Sequence, residues 1–443
     1  MVAGNGRTNG FSAFVEDRPG QGMFRIDRAI YTEDAVFEAE LERIFEHSWL
    51  YLCHESQIAE HGDYYASHIG RQPVFAIRRK DGAIGAFLNA CAHRGAILTR
   101  RRRANATTLA CRFHGWCYDT EGRCIQIKNE KSGFPDGDAK ARYGLTPVPR
   151  VESYKGFVFA SLDADVEPLI EHLGQAAPFI DLMAEQSPDG MEVVAGQQTY
   201  LIRGNWKLQA ENGVDGYHVA TVHRVFAAAI AKREKLSGAV GTAATDAGRI
   251  AGLGRNGCYD LGGGHKLVWS ERGKPELAPL HASLAKLETM HPEAKIDWML
   301  RRGRNLMVFP NLLLLDQAST HIRVFRPLAK DRTEVRVYCI APVGEAREAR
   351  AARLRKFEDF FMVTGMATPD DLAALEDCQF GAMASGARWT DMERGIGQAC
   401  EGADELAAGI GARPAASAES WDHEILYHGF FRRWVELMDA DAP

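Results

Sequence analysis

The sequence predicts an α+β protein in which an all-β module is followed by a larger domain of mixed strands and helices, and three features carry that prediction. From about Tyr51 to Leu162 the chain falls into short apolar runs, PVFAIRR, GAFLNAC, TTLACRF and GFVFASL, separated by Gly, Asp and Pro. Runs of that length between turn formers are short antiparallel strands. Beyond Ser187, Pro188, Asp189 and Gly190, strand-like runs alternate with longer helical patterns. The 443 residues, at roughly 150 to a domain, leave room for two to four cores, and nothing repeats at the roughly 20–50 residue period of solenoids and propellers.

In chain order, TEDAVFEAELERIFEHSWLYL sets Phe37, Leu41, Ile44 and Phe45 at helical spacings, with Thr32 placed to cap the helix. The β module then spans residues 45 to 160. Within the rest, VVAGQQTYLIRG, KLVWS, NLLLLD, HIRVFRP and EVRVYCIAP read as strands of one larger sheet. Ala346 to Thr364, rich in Glu, Ala and Arg, is helical. So is Glu419 to Met438, whose stripe of Ile425, Leu426, Phe430, Trp434 and Leu437 reads as core or subunit contact.

Composition removes several functions. Lys and Arg total 53 against 59 Asp and Glu, a net charge of −6, so nothing points to a nucleic-acid surface. The longest apolar stretch, Leu306 to Leu315, is broken by Pro310 and Asn311 and falls short of the roughly 20 residues that span a bilayer. The start, MVAGNGRTNG, lacks the basic and apolar regions of a signal peptide. A cytoplasmic protein is expected, with its nine cysteines as thiols or ligands rather than disulfides.

Four of those residues form a pattern with chemistry in it. Cys91 and His93 lie in CAHRG, and after 17 intervening residues Cys111 and His114 follow in CRFHGW. Two mixed pairs can present both thiolates to one metal and both imidazoles to another, the division a 2Fe-2S cluster with Cys on one iron and His on the other requires. Each pair ends a predicted strand and precedes a turn glycine, Gly95 or Gly115, so two facing loops could clamp a cluster. The competing readings are a zinc site of two cysteines and two histidines, and buried thiols beside unrelated histidines. Cys117 and Cys124 lie outside the spacing. With Cys53, Cys258, Cys339, Cys378 and Cys400 they read as buried packing thiols. Arg100 to Arg103 reads as a solvated tip of a β connection, or as a docking point for an electron donor or neighbouring subunit.

A second constellation, NWKLQAENGVDGYHVATVH, holds Glu211, Asp215, His218 and His223. In a helix Glu211, Asp215 and His218 share a face. His223, five residues beyond His218, would point about 140° away, so both histidines reach one ion only if the helix widens into a π-bulge or unwinds. Two histidines and one carboxylate with open positions is the non-haem Fe(II) arrangement that activates oxygen. Asp215 could be the carboxylate, or could instead orient a ligand histidine. Asp316, Asp370, Asp371, Glu376 and Asp377 are further candidates, and spacing does not choose among them. Thr368, Pro369, Asp370 and Asp371 also look like a helix start.

These residues resemble the large subunits of Rieske aromatic-ring-hydroxylating dioxygenases. CAHRG with CRFHGW is similar to the Rieske motif, and GNWKLQAENGVDGYHVATVH to the mononuclear-iron motif. The resemblance runs from about Phe24 to Met438, and HESQI, HIGRQPV, NWKLQAENG, DGYHV, CIAPVGEA and GMATPDDL are most similar to the benzoate and toluate 1,2-dioxygenase branch. It implies a Rieske β-sandwich at residues 45–160. Residues 1–44 and 161–443 would form a catalytic domain of helix-grip type, a large antiparallel sheet around a long helix. It implies that Cys91, His93, Cys111 and His114 hold a 2Fe-2S cluster, and that His218, His223 and Asp371 hold mononuclear Fe(II). Asp215 would bridge an iron-ligand histidine to a cluster histidine of the neighbouring subunit.

The implied partners are a small subunit, in an α3β3 assembly, and an NADH-dependent flavin and iron-sulfur reductase. The implied reaction adds both atoms of O2 to an aromatic carboxylate, giving a cis-dihydrodiol. Glu211, Asn212 and Arg224 are candidates for substrate contact. Arg224 and Val225 replace the Trp-Asn pair usual after the second iron histidine. An arginine there could pair with a substrate carboxylate or serve structure alone, since adjacent helical residues diverge by about 100°. Anthranilate, halobenzoate, toluate and aminobenzenesulfonate are alternative substrates, and a Rieske monooxygenase is an alternative activity. From another class, an electron-transfer or zinc-stabilised binding protein would hold metal at the Cys-His pairs only.

Overall fold

The computed structural model describes residues 10–134, 137, 139–237, 254–317 and 319–440. The chain divides into two compact units, Phe45–His172 and Met1–Ile44 with Leu173–Pro443.

The first unit is built from three antiparallel sheets. One has four strands in the order Ile84–Leu88, Gln72–Arg78, Asp63–Ile69 and Arg103–Asn105. A second joins Cys124–Gln126, Cys117–Tyr118 and Leu109–Ala110, and a third joins Arg150–Tyr154, Phe157–Ser161 and Leu50–His54. Phe75, Phe87, Trp116 and Tyr118 pack in one buried cluster with Cys91 and Cys111. Arg100, Arg101 and Arg103 are exposed, a solvated tip.

The second unit carries a ten-stranded antiparallel sheet. Met191–Val193 and Gln198–Ile202 both pair with Arg332–Pro342. The order then runs through Thr320–Ala329, Leu312–Asp316, Arg302–Val308, His265–Glu271, Asn256–Gly262, Ala416–Ala418 and Cys400–Glu401. All five strand runs expected beyond Gly190 belong to it. Two central strands were not expected. Asn256–Gly262 reads NGCYDLG and Arg302–Val308 reads RGRNLMV, so turn formers and buried cations hide both. The long helix Ile425–Asp439 packs on Asn256–Gly262 and His265–Glu271, burying Ile425, Leu426, Phe430 and Trp434. Leu437 is only half-buried, and Met438 takes the deep position.

Three local expectations are corrected. Thr32 ends a 3-10 turn, and the helix Asp34–Glu40 starts after Glu33 without a side-chain cap, continuing as a π turn over Leu41–Phe45. Cys378 and Cys400 are exposed rather than packed, one on the outer face of helix Thr368–Ala382 and one on the edge strand, and Cys117 is half-buried; Cys53, Cys124, Cys258 and Cys339 are buried, and all nine thiols are free. Among the described residues no helix is long and apolar enough to cross a membrane.

Candidate metal centres

The two Cys-His loops fold as near copies. Gly95 N donates to Cys91 O at 2.8 Å and Gly115 N to Cys111 O at 2.9 Å, while Cys91 N reaches Ala96 O and Cys111 N reaches Trp116 O. Each turn closes on a glycine at positive φ, 69° at Gly95 and 72° at Gly115, a backbone region that strains other residues. Both thiols are buried. His93 is exposed and stacked on Trp116, and the two imidazoles meet with Nδ1 atoms 3.2 Å apart. Two metal–nitrogen bonds of about 2.1 Å at a tetrahedral angle separate their nitrogens by about 3.4 Å, so this pair suits one ion. A single zinc would draw all four ligand atoms to within about 4 Å of one another. Among the described residues, though, the one group of three or more ligand atoms all within 4.8 Å lies elsewhere. The loops therefore fit a centre with two metal positions. Burial pushes the Cys91 thiol up, so its thiolate needs a cation beside it.

The converging group is His218, His223 and Asp371. Helix Trp206–Asn212 starts on Asn205, whose Oδ1 accepts from Lys207 N at 3.1 Å, and stops at Gly213. The chain is then unwound until the single turn Val219–Val222. The histidines flank that turn, with Val222 N on His218 O at 2.8 Å and His223 N on Val219 O at 3.1 Å, so the helix neither widens nor unwinds between them, contrary to expectation, and the unwound stretch lies before His218. Helix Thr368–Ala382 supplies Asp371 from its first turn behind Pro369, so the helix-start pattern and the carboxylate are one feature. Asp371 Oδ1 lies 3.4 Å from His218 Nε2 and 3.2 Å from His223 Nε2. Bonds of about 2.1 Å at right angles put neighbouring ligand atoms about 3 Å apart, so the spacing suits one face of a metal ion. Asp316 is held by Arg304 and Glu376 by Arg203, and Asp377 is exposed.

Residues 190–440 match the family of the ring hydroxylating alpha subunit (catalytic domain), and residues 48–154 match the Rieske [2Fe-2S] domain. The chain belongs to the ring-hydroxylating alpha-subunit family. It is 44% identical to the toluate 1,2-dioxygenase subunit alpha of Pseudomonas putida, over 96% of this chain and 93% of that one. It is 40% identical to the 2-halobenzoate 1,2-dioxygenase large subunit of Burkholderia cepacia, over 99% and 95%. The structure of naphthalene 1,2-dioxygenase from Rhodococcus sp. bound to indole matches with a TM-score of 0.81 at 25% identity, over 95% of each chain. The protein is thus a Rieske non-haem iron dioxygenase chain, whose family carries a 2Fe-2S cluster and a mononuclear iron.

The oxygenase triad opens on a cavity with about 670 Å³ of empty space, part of it open to solvent. Val219, Val268, Leu315, Phe360, Phe361 and Trp421 form its apolar wall, and Asn212, Asn305, Gln317 and Arg323 bring polar groups. Asn212 Nδ2 lies 3.4 Å from Asp371 Oδ1. Asp215 Oδ2 is 3.2 Å from His218 Nδ1, and its Oδ1 accepts from Tyr217 N at 2.7 Å. Burial opposes charge on His218, but Asp215 and Asp371 outweigh it and raise its pKa to about 10. Burial would raise Asp371, yet the two histidines hold it far below the usual carboxylate range. Without metal, His218 holds a proton between the two carboxylates, and a metal ion bound there would take its place.

Asn212 reaches the cavity; Glu211 and Arg224 do not line it. Glu211 lies behind it, accepting from Tyr31 OH at 2.8 Å, and Arg224 is exposed where helix Arg224–Ser237 begins. The arginine on the wall is Arg323, from the run HIRVFRP, where a buried Arg sits between the apolar Ile322 and Val324. That placement was the signal available for it in the sequence.

Proposed function

We propose that this chain is the large subunit of a dioxygenase that adds both atoms of O2 to adjacent ring carbons of a benzoate-like aromatic carboxylate, giving a cis-dihydrodiol. The observation that carries this is the convergence of His218, His223 and Asp371 on a cavity with an aromatic and aliphatic wall. In this reading Cys91 and Cys111 hold one iron of the cluster, His93 and His114 the other, and the triad holds Fe(II). Bound there, the mononuclear iron supplies oxygen activation and the cluster supplies electrons. The apolar wall seats the ring and excludes water, Asn212 steadies Asp371, and Asp215 orients His218 through Nδ1. A toluate and a 2-halobenzoate enzyme among the relatives support a carboxylate-bearing ring.

The designation of relatives as alpha or large subunits supports a small-subunit partner and an NADH-dependent flavin and iron-sulfur reductase; an α3β3 assembly is the stoichiometry we propose for it. Nine free thiols support a reducing compartment, the cytoplasm.

The reduced protein with its small subunit, given O2 for one turnover with benzoate, anthranilate or 2-chlorobenzoate, should yield a cis-diol detectable by mass. Product from none of them would defeat the reading. His223→Ala should lose the mononuclear iron on metal analysis, at least tenfold, while the visible spectrum of the cluster stays. An electron carrier with metal only at the Cys-His pairs would show no such loss.

A further inference from the structure

Five arginines of the catalytic unit are buried: Arg302, Arg304, Arg323, Arg336 and Arg353. Four face a carboxylate. Arg302 pairs with Asp297, Arg304 with Asp316 at 2.6 Å, Arg336 with Glu334 at 3.1 Å and Arg353 with Glu345 at 2.7 Å. Arg323 is 3% exposed, and among the described residues its Nε and Nη2 have no hydrogen-bond partner. A buried cation without its anion is strongly destabilising, so a fold that keeps one leaves a place for an anion.

Its position says which anion. Val268, Asn305 and Leu315 stand side by side on adjacent strands, and Leu315 pairs with His321. Arg323, two residues beyond His321, shares that face of the sheet, and of these five residues all but His321 line the cavity that holds the iron triad. Nε and Nη2 are the two donors on one edge of the guanidinium, the pair that meets both oxygens of a carboxylate in parallel. The Phe361 ring centroid lies 5.8 Å from the guanidinium carbon, which leaves that edge to polar contact and puts an aromatic surface beside it.

We propose that Arg323 is the anchor for the substrate carboxylate, held side-on by Nε and Nη2 so that the attached ring lies over the apolar wall toward His218, His223 and Asp371. This rests on the aromatic-carboxylate reading above. It assigns to Arg323 the contact that the sequence suggested for Arg224, and makes Arg323 the residue that separates carboxylates from neutral arenes.

The test uses the iron-loaded protein with its small subunit, without reductant so that benzoate binds and does not react. Benzoate should raise the melting temperature of the wild type, and benzamide should do so far less. At a benzoate concentration that saturates the wild type, Arg323→Gln should show little shift, and its concentration for half-saturation should rise about a hundredfold, with Arg323→Lys recovering part of it. In turnover, the loss should fall mainly in KM for benzoate. Arg323→Met, which removes the unpaired charge and keeps an apolar side chain, should melt at or above the wild type without ligand, separating lost binding from lost folding. Benzoate binding by Arg323→Gln within about threefold of wild type overturns the anchor while leaving the substrate class standing. A wild type that neither binds nor oxidises any aromatic carboxylate overturns both.

Discussion

Lys266, fully buried, and Glu211, half-buried, sit behind the iron triad as ionisable groups off the cavity wall. Burial raises Glu211 to about 7 against the pull of Lys266, Tyr31 and Lys207, with Asp215 adding to the rise, and burial lowers Lys266 to about 7. For Glu211 the folded pKa lies above the unfolded value of about 4.3, so its contribution to stability is complete below that value and is lost as pH rises through 7. Lys266 has the opposite sign: its contribution is complete above about 10.4 and is lost as pH falls through 7. Glu211→Gln removes the buried carboxylate while still accepting from Tyr31. Its melting temperature relative to wild type should therefore climb by about 2 °C or more between pH 5 and pH 8, and a pH-independent difference would count against this account. Asp215 is the second test. Asp215→Ala should keep both metal centres loaded yet slow re-oxidation of the reduced protein by O2 in a single turnover by about 10- to 100-fold. Asp215→Asn, which keeps an oxygen beside His218 Nδ1, should restore part of the rate. Unchanged re-oxidation would remove Asp215 from that role.

The link between Gly213 and His218 is where local spacing becomes a metal site. His218 and His223 flank one helical turn, Val219–Val222, and the unwound link before it carries that turn and both histidines to Asp371. A Cβ at Gly216 would come 2.3 Å from Trp421 Cγ, and one at Gly213 would come 2.5 Å from a Leu313 methyl. Both glycines let the link lie flat against its neighbours. Gly216→Ala should therefore push on Trp421, itself part of the cavity wall, at a cost of about 1–3 kcal/mol. Thermal unfolding should show it, together with faster loss of iron to a chelator. A variant that melts like the wild type would mean that Trp421 yields freely. Helix Thr368–Ala382 illustrates the converse economy, since the proline-led start that stops the chain also aims Asp371 at the histidines.

The two ends of the chain meet the middle of the catalytic unit through one buried carboxylate. Glu40 Oε1 accepts from Lys207 Nζ at 2.5 Å and from Trp434 Nε1 at 2.7 Å, and Oε2 accepts from Trp206 Nε1 at 2.8 Å. Glu40 and Lys207 are fully buried. The first segment, the helix that leads to the triad and the C-terminal helix are thus pinned at one point. Glu40→Ala strands the Lys207 charge and two indole N–H groups and should destabilise by about 3–5 kcal/mol, read as a lowered denaturation midpoint, with Glu40→Gln losing less. A loss under about 1 kcal/mol would mean that water reaches the site. At this size the division between what was legible and what was not is plain. The Cys-His pairs, the two histidines, the large sheet and its long helix were legible because each depends on neighbours in the chain: ligand spacing, strand alternation, a helical stripe. Strand Asn256–Gly262 was not, because its asparagine and glycines read as turn formers, and Arg302–Val308 was not, because its arginines are buried only by pairing with Asp297 and Asp316. Spacing did not choose Asp371 among several carboxylates; the family resemblance did, and the tertiary structure brought it to the histidines, while Arg323 over Arg224 for the cavity wall belonged to the tertiary structure alone. Both turn on which side chains the sheet and helices carry into one buried space, where an unpaired charge is costly and a paired one is held, and sequence distance carries no information about that.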